Sequence, residues 1–559
     1  MRIYCNRRLR LFFATVGLVA FVVGCTTPEQ QLPAPPPIPP VPSDAGSGES
    51  VAPGARGTLR IGLPADPLSI DPRFVVDDGG ELIVGALFEP LVRLDDRLRV
   101  MPAAAESFDI SSDRMTWRFA LRDATFHDGT PVTAEDFARA FQRIADETAR
   151  PLSPLGHLLE PVAGWSQASR GGALSGVFAE SDEVLVIQLR QPDPGFLYAL
   201  AHPGLAPVPS VADEDPDAFT ERPIGNGPFQ MLEPRQPGAF VRLVRNPAHH
   251  RAPLVDEVLL TIYADDTTRQ RQLDDLRNGV LHVGHIAPGH LDEAREHFGS
   301  SVDGYTGPGV IDGITSTVYL YAFNVDEPPF DDPTVRRAIS MTIDRNYLAD
   351  AVMQGSRVAA TSIVPPPVPG SQPGVCAYCT HDPVRAIELF NSTGVDLTSM
   401  TLTYSRGATH AAIAEQVAAD IERALGINVN LRGMDLAPFA QSIAAGNVSV
   451  FRLGWRPTRP TPDAYLRPLF HSSNIGGDNL SRYDRADVDE ILDQAQAVPE
   501  LGTWLRRLQE AEQLIVDDMA VMPLLYYRHS VVITPQVEGV RWPPVGAADL
   551  TEARLGGAQ

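Results

Sequence analysis

The chain contains 559 residues, of which 43% are hydrophobic and 21% are charged. This composition is typical of a folded chain that buries a large core, and at roughly 150 residues per domain the length predicts three to four units. The formal net charge is −24, and every basic residue is arginine because the sequence contains no lysine. A chain this acidic lacks the phosphate-neutralising surface that nucleic-acid-binding proteins need, which argues against that class of function.

A secretory leader opens the sequence. Four arginines, at positions 2, 7, 8 and 10, precede an apolar run over residues 11–23, which is too short to cross a bilayer and is typical of a signal peptide. The run ends in Val22-Val23-Gly24-Cys25, which resembles a bacterial lipobox, whose cysteine is lipidated and becomes the first mature residue. We predict a signal peptide over residues 1–24 and a lipid anchor on Cys25, with a plain signal peptide as the alternative. The anchor would hold the protein on the extracytoplasmic side of a cell membrane, in the periplasm or at the outer face of the cell.

Residues 25–56 form a proline-rich segment. Nine prolines fall between positions 28 and 53, and large apolar side chains are scarce. Such a segment cannot bury enough apolar surface to offset its ordering entropy, and its prolines favour an extended conformation. We predict a disordered stalk between the lipidated Cys25 and the folded body. No later segment offers the roughly 18 consecutive apolar residues of a membrane-spanning helix.

Two cysteines, Cys376 and Cys379, remain once Cys5 leaves with the leader and Cys25 carries the lipid. They form a Cys-Ala-Tyr-Cys sequence between a proline-rich stretch and a predicted helix start. Oxidation is the normal state of such a pair outside the cytoplasm, so we predict a disulfide that tightens a loop. A redox-active pair and half of a zinc site stay open as alternatives.

The body begins at Thr58 and alternates strand and helix patterns. Alternating hydrophobicity predicts strands over residues 58–63, 116–121, 184–189, 258–262, 401–404, 427–431, 521–527 and 530–534. Apolar residues that recur every three to four positions predict helices after the capping box at 133–136, after the Asp-Pro pairs at 332–333 and 382–383, from about 410 to 425, and over 504–515. The strand–helix–strand succession over residues 401–431 is a βαβ unit, which predicts α/β architecture with parallel strand pairing.

Several motifs follow one another along the body. The longest is LRDATFHDGTPVTAED over residues 121–136. The others are LSIDP over 68–72, LFEPL over 87–91, PIGNGPF over 223–229, YLYAFN over 319–324, PFDD over 329–332, VRRA over 335–338, IDR over 343–345 and GW over 454–455. Through these motifs the body, residues 58–545, resembles the extracytoplasmic solute-binding proteins of ABC importers, family 5, which includes oligopeptide-, dipeptide- and nickel-binding proteins.

The resemblance implies an α/β fold of two lobes joined by hinge strands, with an extra subdomain inserted in the first lobe. The ligand of such a protein lies between the lobes, which close around it. The expected boundaries are residues 57–92, 223–322 and 525–559 for lobe I, residues 93–222 for the inserted subdomain, and residues 323–524 for lobe II.

The resemblance implies a receptor and not an enzyme. Such a protein binds a peptide-like or other small solute and delivers it to the permease and ATPase of an ABC importer. We expect a monomer that uses no cofactor, no metal and no nucleic acid. Two alternatives stay open: a secreted redox or hydrolytic protein that uses Cys376 and Cys379, and a signalling sensor that keeps the binding fold without a permease.

The resemblance also implies ligand contacts. Ser69, Ile70, Tyr321 and Asn324 match positions that lie near the cleft in relatives. Trp455 stands where the family often places an aromatic residue beside the ligand. A buried core tryptophan is the alternative interpretation of Trp455.

The sequence after Trp455 departs from the family pattern. Peptide-binding relatives carry an aspartate three residues after this tryptophan, which pairs with the α-amino group of the peptide, and here Thr458 takes its place. Arg456 and Arg459 flank that position, and arginine forks suit carboxylate or phosphate groups. We therefore expect Arg456, Thr458 and Arg459 to contact a ligand that is anionic or blocked at its amine. Solvated loop arginines are the alternative.

Histidine-containing segments are interpreted as structural. In the motif over 121–136, a turn and a helix cap account for the polar residues around His127, which is assigned no catalytic role. His249 and His250 follow an Asn-Pro pair in a predicted surface turn. His282 and His285 lie on a predicted strand with their side chains on opposite faces, which does not suit a metal site.

Overall fold

The computed structural model describes residues 56–287 and 289–556. The predicted signal peptide, Cys25 and all but the last residue of the predicted stalk lie outside the described residues. The described part of the chain contains sheets of seven, six and four strands, which organise it into two lobes and an inserted subdomain. The predicted α/β fold with two lobes is confirmed.

The first segment of lobe I is short. It comprises β1 (Thr58–Leu63), α1 (Asp78–Leu87) and β2 (Val92–Leu94). The side chain of Asp77 caps α1 by accepting the amide of Gly80 at 2.9 Å, and most of the helix is buried against the lobe core.

The inserted subdomain is built around α2, whose capping box is the one predicted. The backbone N–H of Thr133 donates to Asp136 Oδ2 at 2.8 Å, and Phe137, Phe141 and Ile144 are buried on one face. Its elements are β3 (Val100–Pro102), β4 (Ala105–Ile110), β5 (Thr116–Leu121), α2 (Ala134–Ala145), α3 (Trp165–Ala168), β6 (Val177–Ser181), β7 (Val184–Gln188), α4 (Phe196–Leu200), α5 (Val211–Glu214) and α6 (Pro216–Glu221).

The chain then returns to lobe I. This segment comprises β8 (Phe229–Gln230), β9 (Phe240–Arg245), β10 (Glu257–Ile262), α7 (Asp266–Arg277), β11 (Val283–His285), α8 (Leu291–Phe298) and β12 (Gly309–Ile311).

Lobe II follows. It comprises β13 (Ile314–Phe323), α9 (Pro333–Thr342), α10 (Arg345–Tyr347), β14 (Arg357–Ala359), α11 (Pro383–Thr393), β15 (Ser399–Ser405), α12 (Ala408–Leu425), β16 (Asn428–Met434), α13 (Leu436–Ala444), β17 (Val450–Trp455), α14 (Asp463–Phe470), α15 (Ala486–Ala497), α16 (Leu501–Asp518) and β18 (Val521–Arg528). The chain ends in lobe I with β19 (Val531–Ile533), β20 (Val537–Glu538) and β21 (Arg554–Leu555).

The strand orders define the lobes. Lobe I has the order β12-β19-β11-β1-β10-β9-β8, lobe II has β14-β18-β13-β17-β15-β16, and the inserted subdomain has β4-β5-β7-β6. In lobe II, β15 and β16 pair in parallel around α12, which confirms the predicted βαβ unit. The crossover helix ends at Gly426, which adopts a positive φ of 68° and lets the chain turn into β16.

The chain crosses between the lobes twice. Both β13 and β18 lie in the lobe II sheet, where they pair antiparallel with each other. The chain therefore passes between the two sheets at residues 312–313 and 529–530. Both strands bury their side chains in the lobe II core over most of their length. The expected lobe boundaries stay predictions.

The cores follow the same division. One contiguous apolar cluster joins lobe I to the inserted subdomain, and a second fills lobe II. Among the described residues, no helix combines the length and apolar character that crossing a membrane requires.

Candidate functional site

A cavity of about 1660 Å³ lies where lobe I, the inserted subdomain and lobe II meet. Its wall includes Glu81 and Glu89 of lobe I, His157 of the inserted subdomain, and Arg452 and Trp455 of lobe II. Ligand sites of proteins are usually concave and lie between domains, so this cavity is the candidate functional site.

Trp455 is the last residue of β17 and stands at the wall of the cavity. Its indole Nε1–H donates to the carbonyl oxygen of Ala464 at 2.7 Å, and the side chain is half-buried. The hydrogen bond fixes the ring against the start of α14. The ring is thus part of the lobe II packing and also of the cavity wall.

Arg456 reaches across to lobe I. Its Nη2 lies 2.8 Å from Glu81 Oε2 and 3.0 Å from Asp78 Oδ1, both on α1. The negative charge of Glu81 raises the pKa of Arg456 and keeps the guanidinium protonated. The strand end of lobe II is therefore tied to a helix of lobe I through an ion pair.

Arg459 reaches the inserted subdomain. Its Nη1 lies 3.0 Å from Asp193 Oδ2, and its Nη2 pairs with Asp463, the first residue of α14. Burial opposes the charge, but the carboxylates of Asp463 and Asp193 outweigh it and raise the pKa of Arg459.

Thr458 makes a third contact across the cleft. Its hydroxyl lies 2.7 Å from Nε2 of His157, whose Nδ1 lies 3.0 Å from the carbonyl of Pro154. Burial lowers the pKa of His157 to about 4, so the ring is neutral near pH 7. With Nδ1–H donating to Pro154, Nε2 accepts a hydrogen bond from the hydroxyl of Thr458.

These contacts change the interpretation of the loop after Trp455. Arg456 and Arg459 do line the cavity, but each is already neutralised by two carboxylates of the chain. The geometry therefore does not favour the expected anion at these two arginines. Arg459 is not a solvated loop arginine, since its side chain is only 17% exposed. The role of Arg456, Thr458 and Arg459 as ligand contacts stays a prediction.

Arg452 is a cavity residue that the sequence analysis missed. Its guanidinium lies 5.2 Å from the ring centroid of Tyr319, and no carboxylate of the described chain lies within ion-pair distance of it. Gly454 leaves it room, since a Cβ there would come within 2.9 Å of Arg452 Nη2. Burial, together with the charges of Arg452 and Arg357, lowers the pKa of His410 to about 4. This corner of the cavity therefore carries uncompensated positive charge. The signal was present as a basic residue inside the apolar strand β17.

The remaining predicted contacts do not lie on the cavity wall. Ile70 and Tyr321 are fully buried in the cores of lobe I and lobe II. The hydroxyl of Ser69 accepts the backbone N–H of Asp71, and the side-chain amide of Asn324 donates to a backbone carbonyl within lobe II. The role of these four residues as ligand contacts stays a prediction, and their positions away from the cavity wall do not support it.

Glu89, His249 and His250 bring donor atoms within 4.8 Å of one another, as a metal site would require. Nδ1 of His249 accepts the backbone N–H of Arg251 at 3.1 Å, so the neutral ring carries its proton on Nε2 and has no lone pair there for a metal. Burial opposes the charge of Glu89, but hydrogen bonds from the two histidines lower its pKa to about 2. The geometry is that of a hydrogen-bonded cluster. The predicted surface position is wrong for His249, which is buried because it packs against Glu89.

His127 has a structural role. Its Nδ1 accepts the backbone N–H of Gly225 at 3.1 Å, and its Nε2 lies 3.1 Å from the carbonyl of Gly227. The ring thus fastens the inserted subdomain to the glycine-containing turn of lobe I, which confirms the structural interpretation of this motif.

Cys376 and Cys379 are joined by a disulfide in lobe II. Both residues are buried in the core of that lobe, and neither lines the cavity. The pair closes the loop that leads from the proline-rich stretch into α11.

The sequence matches a known protein family over more than half of its length. The model of a family described as bacterial extracellular solute-binding proteins, family 5 middle, matches residues 99–477, more than half of the chain. The chain belongs to this family. Its homologues are binding proteins of ABC transporters and not enzymes, and the family is extracytoplasmic.

Individual relatives match over most of their length. The oligopeptide-binding protein OppA of Bacillus subtilis is 24% identical over 522 residues, which cover 90% of this chain and 93% of the relative. The periplasmic murein peptide-binding protein MppA of Escherichia coli is 28% identical over 495 residues, 85% and 88% of the two chains. The solved structure of Escherichia coli MppA superposes with a TM-score of 0.71 at 25% identity, covering 89% and 98% of the chains. OppA of Haemophilus influenzae in complex with the peptide RPPGFSPFR superposes with a TM-score of 0.70 at 22% identity, covering 90% and 99%.

Proposed function

We propose that this protein is a lipid-anchored solute receptor that binds a peptide-like solute in the cavity between the lobes and delivers it to the permease of an ABC importer. Family membership supports the import role, and the peptide-binding relatives support the solute class. The observation that carries the proposal is Arg452, a cationic side chain at the cavity wall for which the described chain provides no carboxylate.

Arg452 favours a solute that carries a negatively charged group. Its Nε is buried without a hydrogen-bond partner in the described chain, and the neighbouring His410 is neutral near pH 7 because its pKa is lowered to about 4. A guanidinium binds carboxylates through paired hydrogen bonds, and a buried N–H donor without an acceptor is costly. The terminal carboxylate of a short peptide fits this requirement.

Asp478 offers a partner for the other end of a peptide. It lines the cavity, its Oδ1 is buried without a hydrogen-bond partner, and burial raises its pKa to about 6. An ammonium group beside it would favour the ionised carboxylate and supply the missing hydrogen bond. A free amine is thus compatible with the cavity, although Thr458 replaces the aspartate found in peptide-binding relatives.

Calorimetric titration with tri-alanine, tri-alanine amide and N-acetyl-tri-alanine tests the proposal. The wild-type protein should bind tri-alanine roughly 10- to 100-fold more tightly than the amide, as the loss of a charge-assisted hydrogen bond predicts. Arg452→Met should remove that preference. Arg467→Met, the same change at a cavity arginine already paired with Asp493, should keep it. Equal binding of acid and amide by the wild-type protein, or no binding of any of the three peptides, would contradict the proposal.

A comparison of tri-alanine with N-acetyl-tri-alanine tests the proposed contact between Asp478 and the amino group of the peptide. N-acetylation of tri-alanine should weaken binding to the wild-type protein, and Asp478→Asn should make the two peptides nearly equivalent. If Asp478→Asn still discriminates between them as the wild-type protein does, the ammonium group lies elsewhere in the cavity.

The anchor and the delivery step need cellular experiments. Cys25→Ser should move the protein from the membrane fraction to the soluble extracytoplasmic fraction, and an unchanged membrane fraction would contradict lipidation of Cys25. Deletion of the gene should lower uptake of the peptide that the purified protein binds. Normal uptake would favour the sensor alternative.

A further inference from the structure

An ion pair and a hydrogen bond connect the loop over residues 455–463 of lobe II to the inserted subdomain. Arg459 Nη1 lies 3.0 Å from Asp193 Oδ2, and the Thr458 hydroxyl lies 2.7 Å from His157 Nε2. These partners are separated by 266 and 301 positions in the sequence. The contacts therefore join lobe II to the inserted subdomain, in addition to the hinge strands and the ion pair of Arg456 with lobe I.

Arg459 is held on both sides. Its second nitrogen pairs with Asp463 at the start of α14, which keeps the guanidinium on lobe II while the first nitrogen points to Asp193. The side chains of Arg459, Asp193 and Asp463 are only 17%, 12% and 14% exposed. Water therefore screens this ion pair little, and removing one partner would leave a charge uncompensated.

The inserted subdomain and lobe II are also in close steric contact at Gly195. A Cβ added to Gly195 would come within 3.3 Å of Arg459 Nη1 and within 3.3 Å of the Trp504 ring on α16. The backbone of the inserted subdomain thus approaches lobe II so closely that a side chain at this position would press on both residues.

We propose that Arg459 is a positioning residue of the cleft: its ion pair with Asp193 fastens the inserted subdomain to lobe II and sets the width of the cleft before a solute binds. The effect on solute affinity rests on the proposed function, but the effect on the arrangement of the lobes does not. Because the bond lies within the chain, it holds the lobes without any contribution from a solute.

Small-angle X-ray scattering on the mature chain with Cys25→Ser tests the positioning role. The protein is unfolded, dialysed and refolded with its disulfide intact to remove bound solute. Arg459→Met should raise the radius of gyration by roughly 0.5–1 Å, since part of a compact particle swings outward. Gly195→Val, which leaves every charge in place, should do the same. Arg459→Lys, which keeps the charge but not the fork that holds both carboxylates, should raise the radius less than Arg459→Met.

A matched control separates the interlobe bond from the loss of an arginine. Arg406→Met removes an arginine from an exposed ion pair with Asp435 that lies wholly within lobe II, and it should leave the radius unchanged. Circular dichroism shows whether each variant is folded. Folded Arg459→Met and Gly195→Val variants with the wild-type radius would overturn the proposal.

Binding of tri-alanine gives the second readout. If only a fraction of the molecules has the cleft in its binding arrangement, the apparent affinity falls in proportion to that fraction. Arg459→Met should therefore bind tri-alanine about 3- to 10-fold more weakly than the wild-type protein. Arg459→Met with wild-type affinity would also overturn the positioning role. If tri-alanine binds no variant, the wild type included, the proposed function fails while the scattering result still decides the interlobe bond.

Discussion

Glu512 provides a pH-dependent test of the lobe II core. It lies on α16, is 1% exposed, and accepts the backbone N–H groups of Ile363 and Val364 at 3.0 and 2.9 Å, both on Oε1. Burial raises its pKa from the ordinary 4.5 to about 7, although these hydrogen bonds oppose the rise. Glu512→Gln keeps an oxygen that can accept both N–H groups and removes the titration.

The sign and the size of the effect follow from the two pKa values. Between about pH 4.5 and 7 the unfolded chain releases the Glu512 proton while the folded chain keeps it, so the free energy of unfolding falls as the pH rises. A difference of about 2.5 pKa units corresponds to about 3 kcal/mol. The glutamine side chain does not titrate, so the Glu512→Gln variant does not lose this free energy of unfolding as the pH rises. Its stability relative to wild type should therefore improve by about 3 kcal/mol between pH 4.5 and pH 8.

Urea unfolding at several pH values measures this, followed by tryptophan fluorescence, to which Trp504 on the same helix contributes. Glu510→Gln, an exposed position on α16, serves as the control and should shift by less than about 0.5 kcal/mol across the same range. A stability difference between Glu512→Gln and wild type that stays constant from pH 4.5 to pH 8 would refute the reasoning.

Three further changes probe the fold by urea unfolding. Arg345 is buried and donates to four backbone carbonyls, and no carboxylate of the described chain pairs with it. Arg345→Met should therefore cost on the order of 3 kcal/mol, and a loss below 1 kcal/mol would contradict this. Gly225→Ala should destabilise by about 2 kcal/mol because its Cβ would overlap the backbone carbonyl oxygen of Leu87, whereas Gly85→Ala, with open space on α1, should be neutral or stabilising. Replacing Cys376 and Cys379 by alanine should cost about 2 kcal/mol from the entropy of the short loop, and an unchanged midpoint would show that the disulfide does not stabilise lobe II.

Local patterns were enough to predict much of the fold. The strand over 58–63, the capping box at Thr133 and the unit β15–α12–β16 all follow from hydrophobic period and helix caps, which act over a few residues. The sheet that each hinge strand joins was harder to predict. Both β13 and β18 join the lobe II sheet, and nothing in the local sequence of a hinge strand tells which sheet it will pair with.

The site was harder to predict because its partners are distant in sequence. Arg456 pairs with Glu81 over 375 positions, and Arg459 with Asp193 over 266, so the sequence showed two free arginines where the fold has two neutralised ones. Arg452 was missed for the opposite reason. An arginine in a strand is common. Arg452 becomes a candidate for binding an anionic group only because no carboxylate of the described structure lies within ion-pair distance of it at the cavity wall.

Native mass spectrometry of the purified protein incubated with tri-alanine tests whether the cavity between the lobes receives an intact peptide-like solute. We expect a 1:1 complex whose peptide is released unchanged, and a much weaker complex with tri-alanine amide. Absence of a complex at millimolar tri-alanine, or recovery of a chemically altered peptide, would contradict it.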